Sequence, residues 1–368
     1  MVNDAIDLNT IRRVLVTKLR HHGDVLLTSP VFSVLKNHAP HLEIDALVYQ
    51  DTADMLTLHP AISQVHCIDR KWKNQGVLAQ IGAEWRLFLA LRSRHYDLIV
   101  HLTPHPRGAW LKRLLGPRYG VTQSARNKGK FWRNSFSHVF PGPKSNPRHM
   151  AELNLDALRR IGVYPTETEK HLVLMAGEEA DSSIDKLLHR HNLHENGFIH
   201  VHPTSRWLFK CWTTEKMTAL IAALQSQGHQ IVVTAAPSGE EMAMVKTILS
   251  GLTQPVTDLS GQLSLKQLAA LTARARCFIG VDSAPMHIAA AMQTPVVVLF
   301  GPSGEQEWGP WMTPQRVIAS SHSCRPCGND GCAGSKISEC LTTLPVERVL
   351  NAVTELILET TVDRSIGY

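Results

Sequence analysis

The sequence has no long hydrophobic run, and this absence excludes a membrane-spanning protein. No stretch of its 368 residues approaches the ~18 apolar residues that a transmembrane helix needs. The N-terminal stretch MVNDAIDLNTIRRV also lacks the apolar core of a secretory signal. The seven cysteines, an odd number, favour reduced thiols over a disulfide framework. We therefore expect a cytoplasmic protein.

Several signatures of common enzyme classes are also missing. The chain contains neither a Walker P-loop nor a G-x-G-x-x-G fingerprint, so an ordinary NTPase or dehydrogenase loses its main support. It contains no G-x-S-x-G, H-E-x-x-H or protein-kinase signature either. Its chemistry must therefore be sought in other patterns.

What the sequence does have is an ordinary globular composition with an excess of positive charge. Hydrophobic residues make up 43% and charged residues 19%, enough to bury two cores in a chain of this length. The formal net charge of +6 indicates an anionic partner, for which nucleic acid, a phosphorylated sugar and a membrane surface all qualify.

Strand-like and helix-like segments alternate along the whole chain, which predicts an α/β fold with parallel sheets. A first series runs from VLVTKL to a helix that ends at Gly162, and a second begins at FIHVHP. The stretch VYPTETEKHLVLMAGEEADSS interrupts the pattern and is the predicted linker. Two doubly wound, Rossmann-like domains follow, at 1–170 and 171–350. Their ligands are expected outside the carboxyl ends of the strands.

One candidate site follows the strand in CFIGVDSAPMHIAAAM. Small residues before a helix, with Pro285 near its first position, offer free amides that suit a diphosphate. Asp282 would repel a phosphate, so hydrogen bonds to sugar hydroxyls fit it better. The alternative is a structural turn in which Asp282 caps the helix.

A second candidate site lies in IHVHPTSRWLFKCW, where the hydroxyls of Thr204 and Ser205 precede Arg206 and Lys210. Hydroxyl and cationic groups after a strand fit an anionic ligand, with Lys210 as a point charge on phosphate oxygens. The alternative is that the tryptophans pack and the cations are merely solvated.

The stretch VLVTKLRHHGDVLLTSPVF raises a similar question about Asp24. Gly23 provides a tight turn after the strand, and Asp24 lies at or just before the start of a helix. Taken alone, Asp24 reads as an N-cap.

These motifs together resemble the ADP-heptose:lipopolysaccharide heptosyltransferases, glycosyltransferase family nine. The resemblance rests on TKLRHHGDVLLTSPVFSVLK, HPTSRWLFKCW and GVDSAPMHIAAAMQTPVVVLFGPS, in this order, and covers nearly the whole chain. It implies the GT-B architecture, with two Rossmann-like domains facing a central cleft. The first domain would bind the acceptor and the second ADP-heptose, a substrate rather than a cofactor. The helix in 351–368 would pack back on the first domain.

The resemblance also implies a mechanism, in which Asp24 is the general base that deprotonates the acceptor hydroxyl. Lys210 and the amides of Ser283 and Ala284 would stabilise the departing diphosphate. We expect single displacement with inversion and without a divalent metal. Further donor contacts implied are Thr204 and Ser205 with phosphate, Asp282 and His287 with the donor, Leu263 with adenine and Glu240 with ribose.

A basic segment from Arg107 to Arg133 suits a phosphorylated acceptor, the lipopolysaccharide inner core on lipid A. The expected acceptor-binding residues are Gly23, Arg107, Arg126, Lys128 and Lys130. The same segment, with Trp72 and Trp85, would hold the protein against the cytoplasmic face of the inner membrane, at roughly 1 kcal/mol per basic residue.

Three alternatives remain open at this point. Cys324, Cys327, Cys332 and Cys340 match zinc in ligand type but not in spacing, and a reduced loop is the more economical interpretation. The enzyme could be another GT-B protein acting on a nucleotide sugar, as a different transferase or an epimerase. A nucleic-acid-binding protein is less consistent with the sequence, because the cations cluster in one segment without a binding motif.

Overall fold

The computed structural model describes residues 4–125, 128–142 and 147–366. Its contacts divide the chain into two compact units, Met1–Met175 and Ala176–Tyr368. The boundary lies in the predicted linker, a little after the expected position between residues 170 and 171. The predicted α/β class is confirmed, because each unit is built on one six-stranded parallel sheet with helices.

The first unit has the strand order β3-β2-β1-β4-β5-β6. Its strands are β1 (Arg13–Thr17), β2 (Glu43–Tyr49), β3 (Gln64–Ile68), β4 (Leu98–His101), β5 (Tyr119–Gln123) and β6 (His138–Phe140). Its helices are α1 (His22–Leu26), α2 (Ser29–His38), α3 (Val77–Ser93), α4 (Arg107–Leu115), α5 (Lys130–Arg133) and α6 (Met150–Arg160). Short 3-10 helices lie at Leu8–Thr10, Gln50–Met55, Arg70–Asn74 and Thr168–Lys170.

The second unit has the order β12-β11-β10-β7-β8-β9. Its strands are β7 (Phe198–His202), β8 (Gln230–Val233), β9 (Thr257–Asp258), β10 (Cys277–Val281), β11 (Val296–Phe300) and β12 (Gln315–Ala319). Its helices are α7 (Glu178–Arg190), α8 (Thr214–Ser226), α9 (Gly239–Ser250), α10 (Leu265–Ala273), α11 (Ala284–Ala291), α12 (Glu305–Trp308), α13 (Glu339–Thr342) and α14 (Val346–Ile366). Its 3-10 helices are Leu208–Lys210 and Cys332–Gly334.

The central strands explain why both sheets are parallel. Strands β10 and β11 are buried along their whole length, as the runs CFIGV and VVVLF predict for strands covered on both faces. In each unit the strand order reverses beside a central strand, β1 in the first and β7 in the second. Ligands of doubly wound sheets bind at this place, beyond the carboxyl ends of the strands.

The last helix packs on its own unit, and its expected contact with the first domain stays a prediction. We expected residues 351–368 to pack on the first domain, but the buried face of α14 is part of the core of the second unit. Val349, Val353 and Leu356 pack there with residues of β11 and α8. The apolar stripe is therefore covered by the helix's own sheet, and its 3.6-residue period could not show which sheet this would be. None of the helices in the described ranges is long and apolar enough for a membrane crossing.

Candidate active site in two loops

The Asp24 carboxylate lies in the loop and short helix that follow β1. Helix α1 begins at His22, its N-cap is His21, and Asp24 belongs to the first turn. The interpretation of Asp24 as an N-cap is therefore wrong. Gly23 is buried within the same turn. The Asp24 side chain is 11% exposed, and its Oδ1 lies 3.5 Å from Nε of Arg20, which is 53% exposed. The Asp24 carboxylate is therefore largely enclosed, with a long contact to an exposed cation.

Lys18 is a buried cation near this carboxylate that the motif analysis missed. Its Nζ donates to Oδ1 of Asn154 at 3.1 Å, and Asn154 Nδ2 donates to the Leu27 carbonyl at 2.9 Å. Burial lowers the pKa of Lys18 to about 8, and the negative charge of Asp24 opposes this lowering. The signal in the sequence is a lysine directly after a buried strand, five residues before the Gly-Asp pair.

Cations of the first unit gather around His105. Burial lowers the pKa of His105, and the charges of Arg107, Lys128 and Lys73 lower it further. The structure thus brings two predicted acceptor-binding residues together with Lys73, which was not predicted. Arg107 also forms a two-pronged ion pair with Glu84, at 3.0 and 2.6 Å.

The structure says less about the other predicted acceptor-binding residues of the basic segment. Lys130 is the exposed first residue of α5, and its expected contact with the acceptor stays a prediction. Arg126 lies outside the described residues. The close approach of α4 to β4 depends on Gly108, because a Cβ there would lie 2.1 Å from Nε2 of His101. This approach fixes the start of the helix that carries Arg107.

In the second unit, Lys210 and Asp282 form an ion pair across two neighbouring loops. Strands β7 and β10 pair in parallel, so the loops after them emerge side by side. The Lys210 Nζ donates to Oδ2 of Asp282 at 2.6 Å, with side-chain exposures of 17% and 9%. The Nζ also lies 5.2 Å from the centre of the Trp207 ring. Two residues predicted separately as donor contacts therefore belong to one charged pair.

The start of α11 is available for an anion. Its N-cap is Ser283, not Asp282, and Pro285 is the second residue of the helix rather than the first. The Ser283 Oγ donates to the Val281 carbonyl at 3.2 Å, and its side chain does not cap the helix. The amides of the first turn, beginning at Ala284, thus carry the positive end of the helix dipole without a side-chain acceptor. His287 is buried within the same helix.

The predicted phosphate turn is tied to Glu241. Thr204 is fully buried, and its Oγ1 donates to Oε2 of Glu241 at 2.8 Å. Ser238, the N-cap of α9, donates to the other oxygen of this carboxylate at 3.2 Å and accepts from the Glu241 amide. Ser238 and Glu241 have the sequence spacing of a capping box, which indicates a helix start but not the contact of the Glu241 side chain with Thr204. Ser264 and Gln267, which have the same spacing in the sequence, form a complete capping box at the start of α10.

Three other predicted donor contacts differ in their exposure. Ser205 is buried, and its Oγ accepts from the Trp207 amide at 3.4 Å. Glu240 is exposed at the start of α9, and Leu263 is half-buried against a hydrophobic cluster. The exposure of Glu240 leaves its carboxylate accessible to a ligand, whereas that of Glu241 is already bonded.

The cysteine-rich loop gives the zinc alternative no support. Cys324 and Cys327 are exposed, Cys332 is half-buried and Cys340 is buried, and all four are free thiols. Among the residues that the structure describes, no group of three or more His, Cys, Asp or Glu side chains could hold a metal ion.

The fold of this chain is similar to that of two solved glycosyltransferases. The chain superposes on a family 9 glycosyl transferase from Veillonella parvula, with a TM-score of 0.82 and 23% identity, covering 97% of this chain and 100% of that one. It also superposes on the Escherichia coli ADP-heptose lps heptosyltransferase II, with a TM-score of 0.74 and 20% identity, covering 95% and 99%. At these identities the likeness concerns the fold alone.

Sequence comparison identifies the family. The family model described as "Glycosyltransferase family 9 (heptosyltransferase)" matches residues 84–338 of this chain. The chain is 35% identical to lipopolysaccharide heptosyltransferase 3 of Escherichia coli strain K12, over 93% of this chain and 97% of that protein. A second Escherichia coli lipopolysaccharide heptosyltransferase 3 is 38% identical, over 80% and 84%. The chain belongs to glycosyltransferase family 9, as its motifs predicted.

Proposed function

We propose that this protein transfers heptose from ADP-heptose to a heptose of the lipopolysaccharide inner core. The relatives that share 35% and 38% of its residues are lipopolysaccharide heptosyltransferases. The observation that carries the proposal to this chain is the Lys210–Asp282 pair beside the uncapped start of α11. It supplies a cation, a hydroxyl-binding carboxylate and free amides at the carboxyl ends of adjacent strands.

The donor binds at the second unit in this proposal. Lys210 and the amides of Ser283 and Ala284 hold the diphosphate of ADP-heptose, and the turn at Thr204 and Ser205 completes the phosphate site. The diphosphate gains charge as the sugar–oxygen bond breaks. Fixed positive groups therefore stabilise the transition state more than the bound substrate. When the donor is bound, the Lys210 ammonium interacts with phosphate oxygens as well as with Asp282. The Asp282 carboxylate can then accept hydrogen bonds from the sugar hydroxyls.

Asp24 acts as the general base on the acceptor side. A carboxylate within hydrogen-bond reach of the acceptor hydroxyl takes its proton while the new glycosidic bond forms. One base and a good leaving group give a single displacement with inversion at the anomeric carbon. Lys210 and the helix dipole carry out the charge stabilisation, and we propose that neither a divalent metal nor a cofactor takes part.

The acceptor binds at the first unit through its phosphates. The positive charges of Arg107, Lys128 and Lys73 all act on His105, and Lys130 is exposed at the start of α5. Such a group of cations fits the phosphorylated inner core on lipid A. Substrates on lipid A place the enzyme at the cytoplasmic face of the inner membrane.

The direct test is incubation of the purified protein with ADP-heptose and a lipopolysaccharide core lacking its outermost heptose. We expect a mass gain of one heptose on the core and release of ADP, with the inverted configuration at the new linkage by NMR. A parallel reaction with UDP-hexoses serves as the control. Transfer of a hexose without transfer of heptose would identify a different GT-B transferase and contradict the proposal.

A further inference from the structure

Helix α3 has the composition of a buried helix but lies at the surface. Only Ala83 and Leu91 are fully buried among its 17 residues, VLAQIGAEWRLFLALRS. Its exposed large apolar side chains include Leu78, Ile81, Trp85 and Leu89, at helical spacings that align them in one stripe. A globular protein normally turns such a stripe toward its core. The opposite orientation indicates a surface with a partner.

Two further helices extend this stripe into a continuous surface. Trp110 and Leu114 of α4 are exposed, and the Trp110 ring lies 4.8 Å from the ring of Phe131 on α5. A cavity of about 840 Å³ lies between α3 and α4 and is lined mainly by apolar side chains of both helices. We call the following residues the α3–α4 surface: Leu78, Ile81, Trp85, Leu89, Trp110, Leu114 and Phe131. Their exposures range from 43% to 86%.

The charges on these helices are almost all of one sign. Helices α3, α4 and α5 carry seven arginines and lysines but a single carboxylate, Glu84, which is paired with Arg107. The Arg113 guanidinium lies 4.6 Å from the centre of the Phe131 ring, directly beside the apolar side chains. Tryptophan and phenylalanine bordered by cations are typical of protein surfaces that bind the headgroup region of a membrane.

We propose that the α3–α4 surface docks on an anionic lipid bilayer, with Trp85, Trp110 and Phe131 at the boundary between headgroups and acyl chains. The surrounding cations then bind lipid phosphates. Charge favours this occupant over a second copy of the chain, because a symmetric interface would bring the same cations face to face. The proposal is independent of which sugar the protein transfers.

This surface differs from the membrane contact expected from the sequence. Trp85 belongs to it, but Trp72 is half-buried and packs against the hydrophobic cluster around Leu15 and Tyr96. Trp72 therefore lies outside the α3–α4 surface, and the membrane contact expected of it stays a prediction. Trp110 and Phe131, two aromatic residues of the basic segment from Arg107 to Arg133, belong to the surface with Trp85.

The test measures binding of the full chain to lipid vesicles by co-sedimentation. The vesicles consist of phosphatidylethanolamine with about 30% phosphatidylglycerol, which gives them a negative charge. We expect the double variant Trp85→Ser, Trp110→Ser to bind at least about tenfold more weakly than the wild type. Leu358→Ser, which removes a comparably exposed side chain of α14, is the matched control and should bind normally. Since both tryptophans are exposed, thermal unfolding should be unchanged.

A charge variant keeps the test informative if the tryptophan variant folds poorly. Arg86→Glu with Arg113→Glu should weaken binding to anionic vesicles severalfold, and high salt should weaken wild-type binding likewise. Vesicles of phosphatidylcholine alone should bind little of either protein. Wild-type protein that ignores anionic vesicles, or variants that bind them normally, would overturn the proposal.

Two activity measurements separate this proposal from the proposed function. With a deacylated, water-soluble core the tryptophan variant should transfer heptose at the wild-type rate, whereas with acceptor in vesicles its rate should fall. Failure of all transfer by the wild type would count against the proposed function and leave the vesicle result standing.

Two other occupants of the surface would give different results. A wild-type dimer that the tryptophan substitutions dissociate, without vesicle binding, would identify the surface as a subunit interface. Affinity for acylated acceptor without vesicle binding would identify an acyl-chain site. Either result would overturn the proposal.

Discussion

The loops that follow the two central strands occupy the same place in two similar sheets, but their charged groups are held differently. After β7 in the second unit, Lys210 contacts Asp282 at 2.6 Å and Thr204 contacts Glu241 at 2.8 Å. After β1 in the first unit, the Asp24 carboxylate lies 3.5 Å from an exposed arginine and acts electrostatically on the buried Lys18. The loops of the second unit thus hold their charged groups in short contacts, whereas the ion pair of Asp24 is longer.

This difference matches the two chemical tasks that we propose. A diphosphate leaving group needs positive charge at fixed positions, and an ion pair with little exposure keeps Lys210 in place at a cost in desolvation. A general base must exchange a proton with the acceptor, and a strong ion pair would lower its basicity. The contrast between the loops leads to four expectations.

The largest effect is expected from Asp24→Asn. The amide has nearly the same shape but cannot take the acceptor proton, so we expect kcat to fall by about 10³-fold. Steady-state transfer measured by mass spectrometry gives this value. Asp330→Asn, at an exposed aspartate paired with Lys336, is the control and should be unaffected. A loss of less than tenfold in Asp24→Asn would remove the base from our mechanism.

A somewhat smaller loss is expected from Lys210→Ala, about 10²-fold in kcat together with weaker ADP binding. Part of this loss arises because Asp282 then remains enclosed without its cation. The double variant Lys210→Ala, Asp282→Asn should therefore lose less than the sum of the single changes. Fully additive losses would show that the pair does not act as a unit. Lys186→Ala, at an exposed lysine of α7, controls for general effects of charge removal.

Reversal of charge beside His105 should act on the acceptor alone. We expect Lys128→Glu to raise the acceptor KM about tenfold, since it replaces a phosphate-binding cation with a repelling carboxylate. The Kd for ADP should not change, and Lys186→Glu should alter neither quantity. Equal losses of donor and acceptor affinity would contradict the assignment of the two substrates to different units.

The fourth expectation concerns stability rather than catalysis, through the buried Lys18. Its pKa is about 8 in the folded protein against 10.5 for an exposed lysine, so the fold disfavours the charged form. Below pH 8 this cost is fully present in the wild type. Between pH 8 and 10.5 the folded protein releases the proton before the unfolded chain does.

The wild type should therefore gain stability relative to Lys18→Met as the pH rises through this window, by on the order of 3 kcal/mol at its upper end. Urea unfolding of both proteins at pH 7, 9 and 10 gives the difference in free energy of unfolding. Lys186→Met should show no such trend. A difference between wild type and Lys18→Met that does not change with pH would show that Lys18 is not a buried cation.

The sequence predicts local features of this protein better than contacts between distant segments. The strand–helix alternation, the capping box at Ser264 and the family motifs could all be read directly, because each depends on neighbouring residues. The Lys210–Asp282 pair joins residues from separate motifs, and only the pairing of β7 with β10 brings them together. The sheet on which α14 packs and the cluster against which Trp72 packs likewise depend on which element covers an apolar face. The periodicity of the sequence does not encode this choice.

Two residues near the proposed site were overlooked for a related reason. Lys18 and Glu241 both carry charge, and charged side chains are seldom fully buried. Lys18 was therefore left out, and Glu241 was interpreted only as a helix cap. Their partners, Asn154 and Thr204, lie far away in the sequence, so no local pattern could indicate their burial.

The central claim is that Asp24 performs proton removal while the second unit alone binds the donor. Calorimetric titration of ADP-heptose into Asp24→Asn, without acceptor, tests it most directly. We expect a Kd within about twofold of the wild-type value in the same variant that has lost transfer. A Kd weakened tenfold or more would show that Asp24 contributes to donor binding and would contradict its role as a base that acts only on the acceptor.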